Sequence, residues 1–411
     1  DYFQFTMVDC PGHASFIKSV IAGASIIDIM ILVVDVTKGI QIQTAECLAL
    51  GEIMKLPIVV ALSKMDLLSQ EDKENINGQL NKVKKIISNI LVKSSYKNKN
   101  NFNIIELFPD QYPHELVQSI LTLSSEIHRN VVGDKSMIVD HCFNIKGKGT
   151  VLTGTIIKGL FNDGDEFELP EYSEKRVVKS IQTFKRKINC AKSGDRIAIL
   201  TTPLKTDEID RCLLVKPNSL KRAHSIIVSF KPCNYYKGEV KTGSKFHLTI
   251  GHLNVMADVH LFIPVESMID YSDKELLNDH MYVEKVNKDK IELKTRNITW
   301  SELETENKQM YAMLVFQKPC YVLPDAFYIG ARFDIQVEQK LCRIAFYGNI
   351  VKQISVENSA NFNLKLFVDK RKYGKVLKVF DDYTLIVEDL FKKENKISEF
   401  RDKKILEELN S

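Results

Sequence analysis

No run in this sequence is apolar for long enough to cross a bilayer. The longest, Ile26 to Val36, is broken by Asp28 and Asp35 and falls short of the ~20 residues that a span needs. Tryptophan occurs once, at Trp300. None of the eight cysteines stands in a C-x-x-C pair, which removes the commonest zinc and dithiol-redox spacings and suits a reducing, cytoplasmic compartment. Two of them, Cys10 and Cys47, lie in apolar stretches and read as internal. Strong charge of one sign is also lacking. With 57 basic and 53 acidic residues the net charge is +4, so a nucleic-acid partner has to be held by local patches rather than by bulk attraction. No basic segment followed by an apolar core opens the chain; Asp1 falls inside what reads as a strand, so the polypeptide is expected to be part of a longer one. A G-x-x-x-x-G-K-[ST] phosphate loop is missing as well.

What is present is enough chain, 411 residues, for two to four domains. Over residues 1–132 short apolar runs (3–8, 29–36, 57–63, 102–108) alternate with helical spacing (13–24, 43–55, 70–92, 112–128), the pattern of strand-helix units around a mostly parallel sheet. From 135 to 217 the texture becomes short alternating runs punctuated by Gly, Pro and Asp, which predicts a small β-barrel. Asn162-Asp163-Gly164-Asp165 reads as a hairpin turn within it. A second β-rich unit is expected over 218–352, interrupted at 267–307 by a polar segment that reads as a surface excursion. Strand-like runs among lysines over 360–411 suggest the start of a further β-rich domain.

Two strand ends carry chemistry. Asp9-Cys10-Pro11-Gly12-His13 follows the run Phe3 to Val8 and precedes helical residues, placing it at the carboxyl edge of an α/β sheet, where ligands of such sheets bind. A carboxylate there holds Mg²⁺ through water, and Gly12 lets a backbone N–H approach a terminal phosphate. The run Pro57 to Leu62 ends in Ser63-Lys64-Met65-Asp66. Asp66 can accept both the N1–H and the 2-amino hydrogens of guanine, whereas adenine would present it with a lone pair. Lys64 offers its methylene stem to the base plane, and Ser63 can tie neighbouring loops together.

These motifs resemble those of the translational GTPases, an α/β P-loop-type domain whose switch II reads Asp-Cys-Pro-Gly-His and whose guanine motif reads Asn-Lys-x-Asp. The resemblance implies GTP and GDP as ligands. It makes Asp9 the magnesium-side aspartate, Gly12 the γ-phosphate contact, His13 the residue that positions the hydrolytic water, and Ser63, Lys64 and Asp66 the nucleotide contacts. Ser63 departs from the family's Asn. The first strand, phosphate loop and switch I lie upstream of switch II in the family, and a third guanine motif is not evident after Phe108. The polypeptide as given is therefore expected to bind GTP weakly or not at all.

The segment Val139 to Thr155, with Asp140-His141 and Gly147-Lys148-Gly149-Thr150-Val151-Leu152-Thr153-Gly154-Thr155, is similar to the second domain of the selenocysteine-specific elongation factors. Gly194-Asp195-Arg196, Cys342 to Gly348 and Leu390 to Glu394 extend the likeness to the eukaryotic-type form. By that resemblance Asp140, His141 and Arg196 line the aminoacyl pocket. A selenol ionises more readily than a thiol or hydroxyl, and a cationic Arg196 beside His141 favours that anion over a seryl side chain. The resemblance implies selenocysteinyl-tRNA and the ribosome as partners, with the appended domain meeting the selenocysteine-insertion RNA element or its binding protein. Lys185-Arg186-Lys187, Lys221-Arg222 and Lys370-Arg371-Lys372 are candidate phosphate contacts. Read from the residues alone, Arg196 pairs with Asp195 or Asp140 on a barrel rim. A tRNA- or partner-binding remnant with a degenerate nucleotide half, or another carrier of the elongation factor Tu or initiation factor two γ kind, are the alternative readings.

Overall fold

The computed structural model describes residues 4–10, 21, 23, 26–68, 80–89, 102–127, 129, 131–205, 209–266, 276, 278–333, 342–360, 362, 364–368, 375–381 and 384–388. The first unit is a parallel sheet of β1 (Met30–Asp35), β2 (Ile58–Ser63) and β3 (Phe102–Glu106), with β2 in the centre. Ile58 to Leu62 are buried without exception, which is why β2 reads as an unbroken apolar run: helices cover both faces. On one side Ile58, Val60 and Leu62 pack with Leu48 of α1 (Ile42–Met54). On the other, Val59 meets Leu123 of the helix His114–Ser125.

The stop of α1 is local chemistry. Lys55 turns into the left-handed region at φ 55°, its N–H and that of Leu56 reach back to Glu52 and Gly51 carbonyls at 3.1 and 2.9 Å, and Pro57 follows. This helix is apolar on more than one face because it serves two cores. Leu50 and Ile53 belong to the cluster of the third unit, with Phe346 and Ile344.

Of the strand expected over 3–8, the described residues 4–8 do not form one. They join none of the described sheets, and Met7 is 87% exposed. Apolar alternation alone does not make a strand; a second segment has to supply the ladder. Cys10, expected inside, is exposed, while Cys47 is half-buried.

The second unit is an eight-stranded antiparallel sheet wrapped around Leu152, Phe161, Phe167, Ile181 and Ile199. Its centre is β4 (Ser136–Ile145) and β5 (Gly149–Lys158), with the strand Arg196–Thr201 on the far side of β5. Gly154 is required: a Cβ there would lie 2.0 Å from the Ile138 carbonyl oxygen. The turn at 162–165 is present, with Asp165 Oδ2 accepting the Asn162 N–H at 2.7 Å, but it is not a hairpin. Leu160–Asn162 pairs with Cys190–Lys192 and Glu166–Leu169 with Glu174–Val177. The turn carries the chain around a corner of the barrel from one sheet to another.

The third unit is a nine-stranded sheet around Phe230, Phe246, Tyr328 and Phe346. Phe230 stacks on Phe346 and Phe246 meets it edge-on, both at 5.0 Å. The polar segment after 267 is not a surface excursion. Its residues Val283, Val286, Ile291, Leu293 and Leu303 join this core, and Trp300 Nε1–H donates to the Asn287 carbonyl at 2.9 Å. The charged residues that made it look solvated alternate with these buried ones along short strands. Likewise Leu366–Phe367, expected in a further domain, pairs in parallel with His280–Tyr282 of the same sheet. The strands Lys375–Asp381 and Thr384–Glu388 form a separate hairpin.

Candidate functional site

β1 and β2 end level, Asp35 opposite Ser63, so their carboxyl edges share one crevice. Ser63 Oγ–H donates to the Val34 carbonyl at 3.3 Å, tying the two strand ends together. Lys64 sits at φ 63°, a left-handed turn that swings the chain out of β2 into the short helix Met65–Leu68, with Asp66 exposed in its first turn. The Lys64 ammonium reaches Asp35 Oδ2 at 2.7 Å. Asp35 Oδ1 in turn accepts Thr37 N–H and O–H at 3.0 and 2.6 Å. The Lys64 ammonium, followed by these Thr37 bonds, holds the Asp35 carboxyl well below the usual carboxylate range. Sequence reasoning missed Asp35 and Thr37, although a D-x-T at the end of an apolar strand was there to be noticed. Asp9 is exposed on the segment before this edge; Gly12 and His13 lie outside the described residues.

The second constellation is on the first barrel. Val139 faces Gly154 and His141 faces Thr153, so Asp140 is the extra residue of a β-bulge, a device that re-aims one side chain. Its carboxylate accepts Thr153 Oγ1–H at 2.8 Å through Oδ1 and meets Arg196 Nη2 at 2.5 Å through Oδ2. Asp140 and Arg196 are thus brought together, with side chains 20% and 31% exposed. His141 is the next residue and exposed, but the two carboxylate oxygens go to Thr153 and Arg196 rather than to its ring. Thr153 was not singled out from the sequence. Its signal was the register that sets it across from the Asp-His pair.

Of the basic stretches, Lys185 lies on a two-residue turn with Phe184, at φ 67° and 45°, Arg186 and Lys187 open the strand that follows, and Phe184 is exposed. Lys221 and Arg222 have partners within the protein, Glu357 at 3.5 Å and the Pro319 carbonyl at 3.1 Å. Lys370 to Lys372 lie outside the described residues.

A parallel sheet with a Ser-Lys-x-Asp turn at its carboxyl edge, followed by two antiparallel barrels, is the architecture of a translational GTPase, and comparison with known proteins agrees. Residues 1–161 match the family model for the elongation factor Tu GTP binding domain, and residues 227–348 that for the third domain of eukaryotic selenocysteine-specific elongation factors. The chain is 34% identical to the selenocysteine-specific elongation factor of Mus musculus over 97% of its own length and 72% of that protein. It is 31% identical to the factor of the same name from Methanocaldococcus jannaschii over 63% of this chain and 55% of that one. Translation elongation factor SelB from Methanococcus maripaludis, solved with the GTP analogue GppNHp, superposes with a TM-score of 0.71 at 25% identity, covering 93% of this chain and 76% of the other.

The chain belongs to the selenocysteine-specific elongation factor family. It is a translational GTPase whose ligand is a guanine nucleotide. No helix among the described residues is long and apolar enough to cross a membrane.

Proposed function

We propose that this protein carries selenocysteinyl-tRNA to the ribosome at recoded UGA codons in the cytoplasm, and releases it on GTP hydrolysis. The observation that carries this reading is the ion pair of Arg196 with the bulge residue Asp140 on the first barrel, with His141 exposed beside it. A guanidinium held at a bulge in a half-exposed position offers a fixed cation to an anionic selenolate, and a neutral seryl hydroxyl gains much less from it. In the nucleotide unit Asp66 would read guanine and Ser63 and Lys64 would support the base. Asp9, an exposed carboxylate, fits a Mg²⁺ held through water. Gly12 and His13 are assigned the γ-phosphate contact and the orientation of the attacking water. Residues beyond 360 would meet the insertion RNA element or its binding protein.

The test is tRNA discrimination. Arg196→Ala is expected to bind selenocysteinyl- and seryl-tRNA with similar affinities while guanine-nucleotide binding stays at the wild-type level. Retained preference for the selenocysteinyl form in Arg196→Ala would remove Arg196 from the pocket.

A further inference from the structure

Arg196 is the first residue of its strand, and the turn Lys192–Asp195 delivers the chain to it. That turn is anchored on β5: Gly194 N–H donates to the Ile156 carbonyl at 2.8 Å, and Ile156 N–H to the Asp195 carbonyl at 3.1 Å. Asp195 closes it, its carboxylate accepting the Lys192 N–H at 2.8 Å. Gly194 sits at φ 87°, a conformation that glycine adopts without strain, and it also makes room for a neighbour. A Cβ built there would lie 1.9, 2.0 and 2.4 Å from Nη1, Cζ and Nε of Arg129. The Arg129 guanidinium thus fills the space where a side chain of residue 194 would stand.

The same guanidinium donates through Nη2 to Asp28 Oδ2 at 2.5 Å. Asp28 stands two residues before β1, whose first N–H, that of Met30, donates to the Pro57 carbonyl beside the start of β2 at 2.9 Å. Arg129 follows the helix His114–Ser125 and precedes the first barrel. From that connection it touches the parallel sheet through Asp28 and, with the rest of its fork, the turn before Arg196.

We infer that Arg129 is a positioning residue for the aminoacyl pocket, a strut that holds the turn before Arg196 against the nucleotide unit, on the reading that Arg196 meets the amino acid. The ladder between β5 and the Arg196 strand begins at Arg196 itself, opposite Thr155, and the end of a ladder opens more readily than its middle. The Arg196 side chain is partly exposed and held by Asp140, so a shift of the turn re-aims it. A displaced guanidinium costs an anionic selenolate and spares a neutral seryl hydroxyl, which draws little from a cation. The Asp28–Arg129 pair is itself partly exposed, and a constraint shifts an equilibrium by no more than it contributes. For a pair of this kind the ceiling is about fivefold.

The experiment measures the affinity of the full chain for one tRNA charged either with selenocysteine or with serine, so that the contribution of the tRNA body cancels in the ratio. Arg129→Ala and Asp28→Ala are each expected to lower the selenocysteinyl-to-seryl preference by about two- to fivefold, with seryl-tRNA affinity unchanged. The double variant is expected to lower it no further than either single one, because both cut the same strut. Arg196→Ala is measured beside them. If it abolishes the preference while Arg129→Ala or Asp28→Ala keeps it whole, the strut is wrong and the pocket stands. Single effects that multiply in the double variant, or equal losses for both charged tRNAs, also overturn the strut, since the residues would then act separately or serve only the fold. A preference retained in Arg196→Ala removes the pocket and the strut together.

Discussion

Replacing Arg343 by methionine would leave a carboxylate buried alone. Glu46 on α1 is 1% exposed and Arg343 7%. The carboxylate accepts the Arg343 backbone N–H at 3.1 Å, Nε–H at 3.0 Å and Nη2–H at 2.7 Å. Removing one member of such a pair costs about 3–5 kcal/mol, whereas replacing both by apolar groups is often neutral. The cost here has a ceiling, because Glu46 regains water as soon as α1 parts from the third unit. Arg343→Met should therefore act as undocking rather than as unfolding of either body. At about 1.4 kcal/mol per factor of ten, the undocked population rises by roughly a hundredfold to a few thousandfold. Amide hydrogen exchange along α1 reads this because a helix that has lost one of its two packing faces opens more often, so protection falls by up to the same factor. The double variant Glu46→Met/Arg343→Met should return protection to near the wild-type level, with Leu50, Ile53 and the Tyr235–Glu52 hydrogen bond still in place. Exchange in Arg343→Met within twofold of wild type, or a double variant as exposed as the single, would refute the reasoning.

Gly154→Ala puts a methyl against the Ile138 carbonyl in the centre of the first barrel, where β4 and the strand Arg196–Thr201 hem β5 in on both sides. A destabilisation of at least ~3 kcal/mol is expected, above the usual range for overpacking, read as a lowered unfolding midpoint in urea. Asp35→Asn tests the crevice: the folded carboxyl titrates below its unfolded value of about 3.9, so its contribution is complete above that pH and is lost as pH falls through the folded pKa. The variant should show a shallower decline of stability below about pH 4 than wild type, and parallel acid-unfolding curves would contradict the assignment.

The sequence made β2 and the barrel motif legible for definite reasons. An unbroken Ile-Val-Val-Ala-Leu run has few solutions other than a strand covered on both faces, and Gly149 to Thr155 has glycine where a neighbouring backbone leaves no room for a Cβ. What was not legible depended on partners far along the chain. Phe3 to Val8 alternates like a strand, but pairing is a property of two segments, and its described residues 4–8 join none of the described sheets. The polar segment after 267 conceals its buried Val283, Val286 and Ile291 among lysines and glutamates, because strands of two or three residues are too short for a period to show. The Glu46–Arg343 bond spans 297 positions, a distance over which no local pattern exists.

The bulge at Asp140 sets a sharper test of the proposed pocket than Arg196 alone. If an anionic amino acid is held by Arg196, then Asp140 both positions the guanidinium and competes with the ligand for it. The pair is partly exposed, and such pairs contribute only about 0–1 kcal/mol to stability, so the guanidinium can turn to a ligand at little cost. The negative charge of Asp140 nevertheless stays close by. Asp140→Asn removes that charge while its amide oxygen can still accept from Thr153. At an effective dielectric of about 20 a like charge some 8–10 Å away is worth roughly 2 kcal/mol before screening. About a tenfold gain in affinity for selenocysteinyl-tRNA is therefore expected, with seryl-tRNA unchanged. Competition binding with the two charged tRNAs measures both at once. An equal change for both, or a loss for selenocysteinyl-tRNA alone, would mean that Asp140 serves the fold of the bulge and that the anion is held elsewhere.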